Sequence, residues 1–448
     1  MAETLKSMYN GGTAGVLFTD RRDFYVSPQV VKELWTDVAP FTTVISNRET
    51  RKVPDPIFKM FEHRNPWVKQ KCLVNGTPTL DDNDTGDTVV VDGIVGLQDT
   101  PDNSWVGLVF EFWNTDEDTK AGTAVVTAVA GGGSYSTTMK SLSGAAFSPG
   151  NNAPMYVIGN AQGEGMTAPD AWADELQVVY NSSQIFKTPL QITGTLLAAS
   201  LRGESSELAR LRAQKNQEHK MQKEKAFLFG QRDSGTGLGE AAYDAGNKAS
   251  NVDETFADDG RTDAGGNVIR TTYGVVSAMD KYGETGSYDY KNVFTISEAT
   301  YTYNSFVDDM EKVFQYVPEA GVKRAFCGSG ALGYWSKMAG SEGIAGSSGW
   351  TVNLSDMRRD SLGFNYKTLE TPHGILQLIP TPALRGPYNK YMLVVSEENL
   401  FHAQYRSPMY QANIKTDNAF DGVKDQYFSD EGIGMTLMES HHLFKVTS

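Results

Sequence analysis

Along residues 206–230, SELARLRAQKNQEHKMQKEKAFLFG, apolar positions gather at the two ends. Leu208 and Leu211 open an apolar stripe and Met221, Phe227 and Leu228 close one, while between Arg212 and Lys220 the only apolar residue is Ala213. The stretch reads as a helix spanning roughly 36 Å, at about 1.5 Å per residue. A surface helix of a globular protein normally repeats apolar residues every three or four positions along its whole length. This one is predicted to touch a core only at its ends, with support from intrahelical pairs such as Glu207–Arg210 and Lys220–Glu224. A helix that is polar all round bridges domains, or lies in a flat layer contacted by other chains.

The patterning elsewhere divides the chain. Residues 1–52 read as an arm with one amphipathic helix at 27–38, where Ser27 and Pro28 suit the first positions. Residues 53–80 carry four prolines and read as extended chain, excluding a central strand or a helix. From 85 to 160, short β-rich runs (TVVV, LVFEFW, TAVVTAV, MYVI) alternate with turn clusters such as Gly131-Gly132-Gly133. That spacing predicts a small all-β module inserted between two extended stretches. Residues 175–198 return to extended apolar chain. The stretch 233–266 holds seven Gly and eight Asp or Glu against two Lys or Arg, the composition of a long flexible loop. From 268 to 402 helices and strands alternate: ISEATYTYNSFVDDMEKVFQY and LGYWSKMAG as helices, VKRAFC, KTLETPHGILQLIPT and YMLVVS as strands. Residues 403–448 read mostly as strand. The fold class is α+β.

Composition narrows the function. A chain of 448 residues with 40% hydrophobic residues can bury a sizeable core. A net charge of −15 argues against a protein whose main task is gripping nucleic acid. Two distant cysteines, Cys72 and Cys327, make neither a disulfide framework nor a zinc knuckle, so a reducing compartment is expected. No apolar run suggests a signal peptide or a membrane span.

The candidate chemistry is thin. GSGALG, with Gly328, Gly330 and Gly333, fits the outline of a dinucleotide loop between a strand and a helix. It lacks a crossover helix and further βαβ units, so a strand-to-helix turn needing glycine geometry is preferred. His441 and His442 are adjacent, so on a strand they face opposite sides and do not share a metal; solvated or interface histidines are expected. DDNDTGD at 81–87 resembles a calcium loop without the flanking helices, and an acidic turn is preferred. No set of residues converges on a reaction. Catalytic, cofactor-binding and metal-ligating residues are therefore all assigned as none, and the protein is not expected to be an enzyme.

Taken in order, the segments VIGNAQGEG (157–165), VVYNSSQIFKTPLQITGT (178–195), ELARLRAQKNQEHKMQKEKAFLFG (207–230), IRTTYGVVSAM (269–279) and 400–435 resemble the major capsid proteins of tailed bacteriophages. These share the Hong Kong 97 phage-type capsid fold. The resemblance implies an N-terminal arm (1–52), an extended E-loop (53–84 and 161–192) carrying the small all-β insertion (85–160), and a P domain (193–267 and 403–448) with the spine helix 206–230. It implies an A domain at 268–402. The E-loop would lie over a neighbouring subunit. Phe58, Phe61, Trp67, Tyr180, Ile185, Phe186, Lys215 and Glu218 are the expected inter-subunit contacts, with the polar middle of the helix facing the lumen and a neighbour's loop. The implied partners are further copies of the chain in hexamers and pentamers, a separate scaffolding protein, a portal at one vertex, a cement or decoration protein, and packaged double-stranded DNA held by weak non-specific contact. No membrane and no cofactor is implied. The implied location is the virion capsid, assembled in the host bacterial cytoplasm. Two alternatives stand beside this reading: a nucleotide-binding oxidoreductase using Gly328–Gly333, and a decoration or host-binding module built on the β insertion.

Overall fold

The computed structural model describes residues 39–447 except 64–69, 82–84, 96, 98–99, 131–134, 166, 171–176, 200–206, 232–268, 286–290, 316–320, 342–357, 360–364 and 415–420. The expected helix at 27–38, the acidic loop at 233–266, and Trp67 therefore lie outside the described residues. The chain divides into two compact units, Phe61–Val178 and the remainder up to Met60 and from Val179 onward.

In chain order, α1 (Pro40–Arg48), β1 (Thr50–Lys52) and β2 (Ile57–Glu62) lead to the strands of the smaller unit. These are β3 (Lys71–Asn75), β4 (Asp87–Val95), β5 (Leu108–Trp113), β6 (Lys120–Val129), β7 (Ser136–Ser141) and β8 (Pro154–Asn160). They close into a barrel in the order β3-β4-β7-β6-β5-β8. Period-2 alternation builds it: in β7 Thr137, Met139 and Ser141 point inward while their neighbours are half-exposed. Val74, Val89, Val91, Phe110, Phe112, Val126, Met139 and Met155 fill the interior around Trp105. Gly122 sits on β6 because a Cβ there would come within 2.5 Å of the Phe147 ring.

The barrel corrects two expectations. It begins at Lys71, not at 85, and the proline-bearing stretch 53–80 does form strands. Pro54 and Pro56 precede β2, while Pro66 and Pro78 flank β3, so neither strand has to carry a proline. β7, STTMKS, escaped the pattern because Ser and Thr fill inward positions that usually hold aliphatic side chains.

The larger unit continues with β9 (Gln177–Ser182), β10 (Gln184–Thr193), α2 (Gly194–Ala198), the long helix α3 (Glu207–Phe229) and α4 (Val275–Tyr282). Then come β11 (Val293–Ser297), α5 (Tyr303–Phe314), β12 (Val322–Cys327), α6 (Ser329–Ser341), β13 (Arg358–Arg359), β14 (Asn365–Thr371), β15 (Gly374–Pro380) and β16 (Tyr391–Val395). The chain closes with β17 (Leu400–Gln411), β18 (Gly422–Met435) and β19 (His442–Thr447).

β2 and β9 pair as a two-stranded ribbon, and a four-stranded sheet runs β1-β17-β18-β10. A seven-stranded sheet runs β11-β19-β16-β12-β15-β14-β13. Residues 403–448 therefore do not stay together: β17 and β18 join the sheet beneath α3, whereas β19 pairs parallel with β11 and antiparallel with β16. The expected helix over 296–316 is shorter, because Ile296 and Ser297 belong to β11 and Thr302 caps α5 by accepting from the Ser305 N–H. One apolar cluster lies under α1, α3 and α4, and a second lies under α5 and α6.

Candidate functional site

The helix that lacked an apolar face on paper has a polar one. Arg212, His219 and Lys223, at i, i+7 and i+11, lie on one stripe of α3. Along β18 every second residue turns to meet that stripe. Arg212 Nη2 lies 2.8 Å from Asp425 Oδ2, His219 Nε2 is 2.9 Å from Ser429 Oγ, and Lys223 Nζ is 3.1 Å from Glu431 Oε2. Tyr427, between them on the same face, donates its hydroxyl to the Arg212 carbonyl at 3.1 Å. β10 contributes Thr188, whose hydroxyl is 3.0 Å from His219 Nδ1 and donates to Gln222. The α-helical and β periods thus match residue for residue, and ion pairs occupy the place of a packed apolar seam.

Burial and the neighbouring groups together set the charge states in this seam. Burial pushes the Asp425 and Glu431 carboxyls up, but their partners more than offset it. Tyr410, the Asn413 N–H and Arg212 hold Asp425 below the usual carboxylate range, and His402 and Lys223 do the same for Glu431. His219 is held down to about 4, first by burial and then by Lys223. Apolar contact returns from Met221 onward, and near the helix end Phe227 meets Phe186 with ring centroids 6.3 Å apart.

The eight expected contact residues separate into groups. Phe58, Tyr180 and Phe186 are 5%, 3% and 5% exposed and belong to their own subunit's apolar cluster, so they are not surfaces offered to a neighbour. The correction has a simple cause: on β2 and β10 the inward and outward positions alternate and Phe58 and Phe186 fall on the inward phase, while Tyr180 lies in β9, where residues 179–182 are all buried. Phe61 and Ile185, on the outward phase, are 71% and 40% exposed. Lys215 and Glu218 pair with each other at 2.7 Å across one turn of α3. The middle of α3 is also not free for a neighbour on every side, since its polar stripe is occupied by β10 and β18.

Sequence reasoning missed the far half of β17. β1 pairs only with His402, Ala403 and Gln404, and beyond it residues 405–410 are exposed, including Tyr405, Met409 and Tyr410. The face of the four-stranded sheet away from α3 carries Ile185, Lys187, Met409 and Arg406 around Phe428. The Arg406 guanidinium lies 4.4 Å above the Phe428 ring and binds Asp430 at 3.0 Å. The legible signal was the alternation in QIFKTPLQIT, which places Ile185, Lys187 and Pro189 opposite Phe186, Thr188 and Leu190.

GSGALG has a structural explanation. The Asn389 side-chain oxygen accepts from the Gly330 N–H at 3.0 Å and from the Ser329 hydroxyl at 2.7 Å, and the Ala331 N–H binds the Asn389 carbonyl. The N-terminus of α6, where a pyrophosphate would sit, is thus capped from within. Gly328 and Gly330 are glycines because a Cβ at either would come within 2.8 Å of Asn389. His441 and His442 are fully buried, correcting the expectation of solvated or interface histidines. The acidic turn at 81–87 is closed by Asp87 Oδ2 accepting from the Asp81 N–H at 2.7 Å. Among the described residues no group of His, Cys, Asp and Glu could hold a metal, and no helix is long and apolar enough to cross a membrane.

Solved structures similar to the chain include the capsid of a native GTA particle (9% identity, 98% of this chain and 100% of that chain, TM-score 0.46). A Microbacterium phage Oxtober96 chain matches at 10% identity over 97% of this chain and 99% of that chain, with TM-score 0.42. The capsid of cyanophage P-SCSP1u matches at 8% identity over 65% and 80%, with TM-score 0.37. No curated relative matches in sequence. The family model described as SU10 major capsid protein matches residues 39–432, nearly the whole of the described chain, and the protein belongs to that family of shell-forming capsid proteins.

Proposed function

We propose that the chain is the repeating subunit of a tailed-phage head, assembled as hexamers and pentamers around double-stranded DNA. In this reading α3 with the four-stranded sheet is the P domain, the seven-stranded sheet with α5 and α6 is the A domain, and the β2–β9 ribbon belongs to the E-loop, which carries the barrel of residues 71–160. A separate scaffolding protein, a portal and a cement or decoration protein are its partners, and assembly takes place in the host cytoplasm. The acidic chain, at −15, contacts the genome weakly, since few phosphates would be neutralised by it.

One observation carries the reading. Extended strands that anchor the subunit by one phase present large apolar side chains on the other, with Phe61 at 71% exposure and Ile185 at 40%. An isolated subunit gains nothing from such exposure, whereas a repeated one covers it with its neighbours. Closed symmetry then multiplies many weak contacts into a stable shell.

The test is a pair of single variants, Phe61→Asp and Ile185→Asp, compared with Phe186→Asp. The first two are expected to give folded subunits that do not form particles, and the third an unfolded one. Normal particles from both outward variants would contradict the placement of the contacts.

A further inference from the structure

Lys323 of β12 is 3% exposed, and its ammonium donates to the carbonyl of Val313 and to that of Ser440, each at 2.8 Å. Val313 lies in the last turn of α5, whose carbonyls have no partner within the helix. Ser440 ends the single 3-10 turn Met438–Ser440 that launches β19. One buried lysine nitrogen therefore bridges the end of α5 and the start of the C-terminal strand. Among the described residues no carboxylate lies within ion-pair reach of it: Arg324, the next residue on β12, takes Glu397 at 2.9 Å.

Two histidines share this joint. His441 Nδ1 accepts from the Ser396 N–H at 3.3 Å, so its proton sits on Nε2 in the neutral ring. His442 begins β19, opposite Val394 of β16, and its ring stacks on Phe294 of β11 with centroids 6.1 Å apart. The Lys312 backbone of α5 and the Ser440 backbone meet His442, the Thr436 and Asn399 backbones and the Ser396 N–H meet His441, β12 offers Lys323 and β11 offers Phe294, while the Asn399 side-chain amide binds Ser440 Oγ at 2.8 Å. Glu439, in the launching turn, is the nearest acid in sequence, and it is not among the groups that set the charge of either histidine.

Burial pushes Lys323 down to about 7. Burial first, and then Lys323, hold His441 down to about 3 and His442 well below the usual histidine range. All three groups therefore bind protons less readily when β19 is docked than when it is released.

We propose that this joint is a proton-operated latch on β19, in which protonation loads like charges into a buried place where, among the described residues, no carboxylate pairs with them, and so frees the strand. The consequence reaches beyond one strand, because among the described strands β11 pairs with β19 alone, so β19 joins it to the rest of the seven-stranded sheet. The sign is fixed by the shifts. Docking is strongest in alkali, weakens as pH falls from 10.5 towards 7 through Lys323, and weakens again below 6.5 through the histidines.

The experiment is hydrogen exchange of the full-length protein, read by mass spectrometry on peptides covering 438–447 and corrected for intrinsic rates. Wild-type protection of β19 is expected to fall at least about tenfold between pH 7 and pH 5, one pKa unit being one decade, while the barrel strands β5 and β6 hold theirs. Lys323→Met is expected to raise protection at pH 7 and remove its rise towards pH 9. His442→Gln is expected to flatten the loss between pH 7 and pH 5. Equal acid sensitivity of β19 and the barrel in the wild type would overturn the latch, and that comparison needs no variant to fold. Unchanged profiles in a folded Lys323→Met would overturn the role of the lysine.

Discussion

The carboxylate of Glu224, on α3, caps the N-terminus of α1 by accepting from Thr42. Glu224 Oε2 receives the Thr42 N–H at 2.7 Å and its hydroxyl at 2.6 Å, and Oε1 receives the Phe41 N–H at 3.0 Å. α1 needs the help. It starts with Pro40, and Ala39 in the capping position has no side-chain oxygen to offer. Burial holds the Glu224 carboxyl above the usual carboxylate range, and the hydrogen bonds from Thr42 and Phe41 offset that only in part. The long helix thus serves its subunit through charge at this point as well, one turn before its apolar end.

Removing that carboxylate leaves two buried backbone donors unsatisfied. Glu224→Ala is expected to lower subunit stability by about 2 kcal/mol, the range for hydrogen bonds to a charged group, with Glu224→Gln falling between it and the wild type. Urea denaturation followed by circular dichroism measures this; equal midpoints for all three proteins would show that the cap contributes nothing.

His219 gives the seam an acid limb. Its folded value, about 4, lies below the ordinary 6.5, so its contribution is complete above pH 6.5 and declines as pH falls towards 4. His219→Gln is expected to keep bonds to Thr188 or Ser429 and to flatten the fall in stability over that window. A variant as acid-sensitive as the wild type would place the sensitivity elsewhere.

Asn389 is expected to act as a cap and nothing more. Asn389→Ala should cost about 1 kcal/mol, as for loss of an N-cap, and titration of the wild-type protein with a dinucleotide should give no saturable signal. Saturable binding that is lost on substitution of Gly330 would revive a nucleotide site.

The barrel has a core of its own, from Cys72 through Met155, with both ends of its strand order joined. Residues 70–161 expressed alone are expected to unfold cooperatively on heating. A broad, probe-dependent transition would mean that the barrel depends on the larger unit.

How much of this was legible in the sequence varied with the kind of residue that did the packing. LVFEFW and VKRAFC announced β5 and β12 because aliphatic and aromatic side chains fill their inward positions. STTMKS did not, since Thr137 and Ser141 sit inside the barrel wall. The seam under α3 was invisible for the same reason. Asp425, Ser429 and Glu431 look like a solvated strand until their partners at Arg212, His219 and Lys223 are placed about 210 residues away in sequence. Long-range pairing also hid the destination of β19, because a strand's sheet depends on which edge it completes and not on its own pattern. Ile185 and Phe186 are both expected contacts, although adjacent residues of a strand face opposite sides and only Ile185 is exposed.

The central claim is that this subunit exists to be repeated in a closed shell. Electron microscopy of the purified full-length protein, alone and co-expressed with its scaffolding protein, tests it most directly. Closed shells built of hexameric and pentameric rings are the predicted result. Folded subunits that remain monomeric under every condition, with neither rings nor shells, would contradict it.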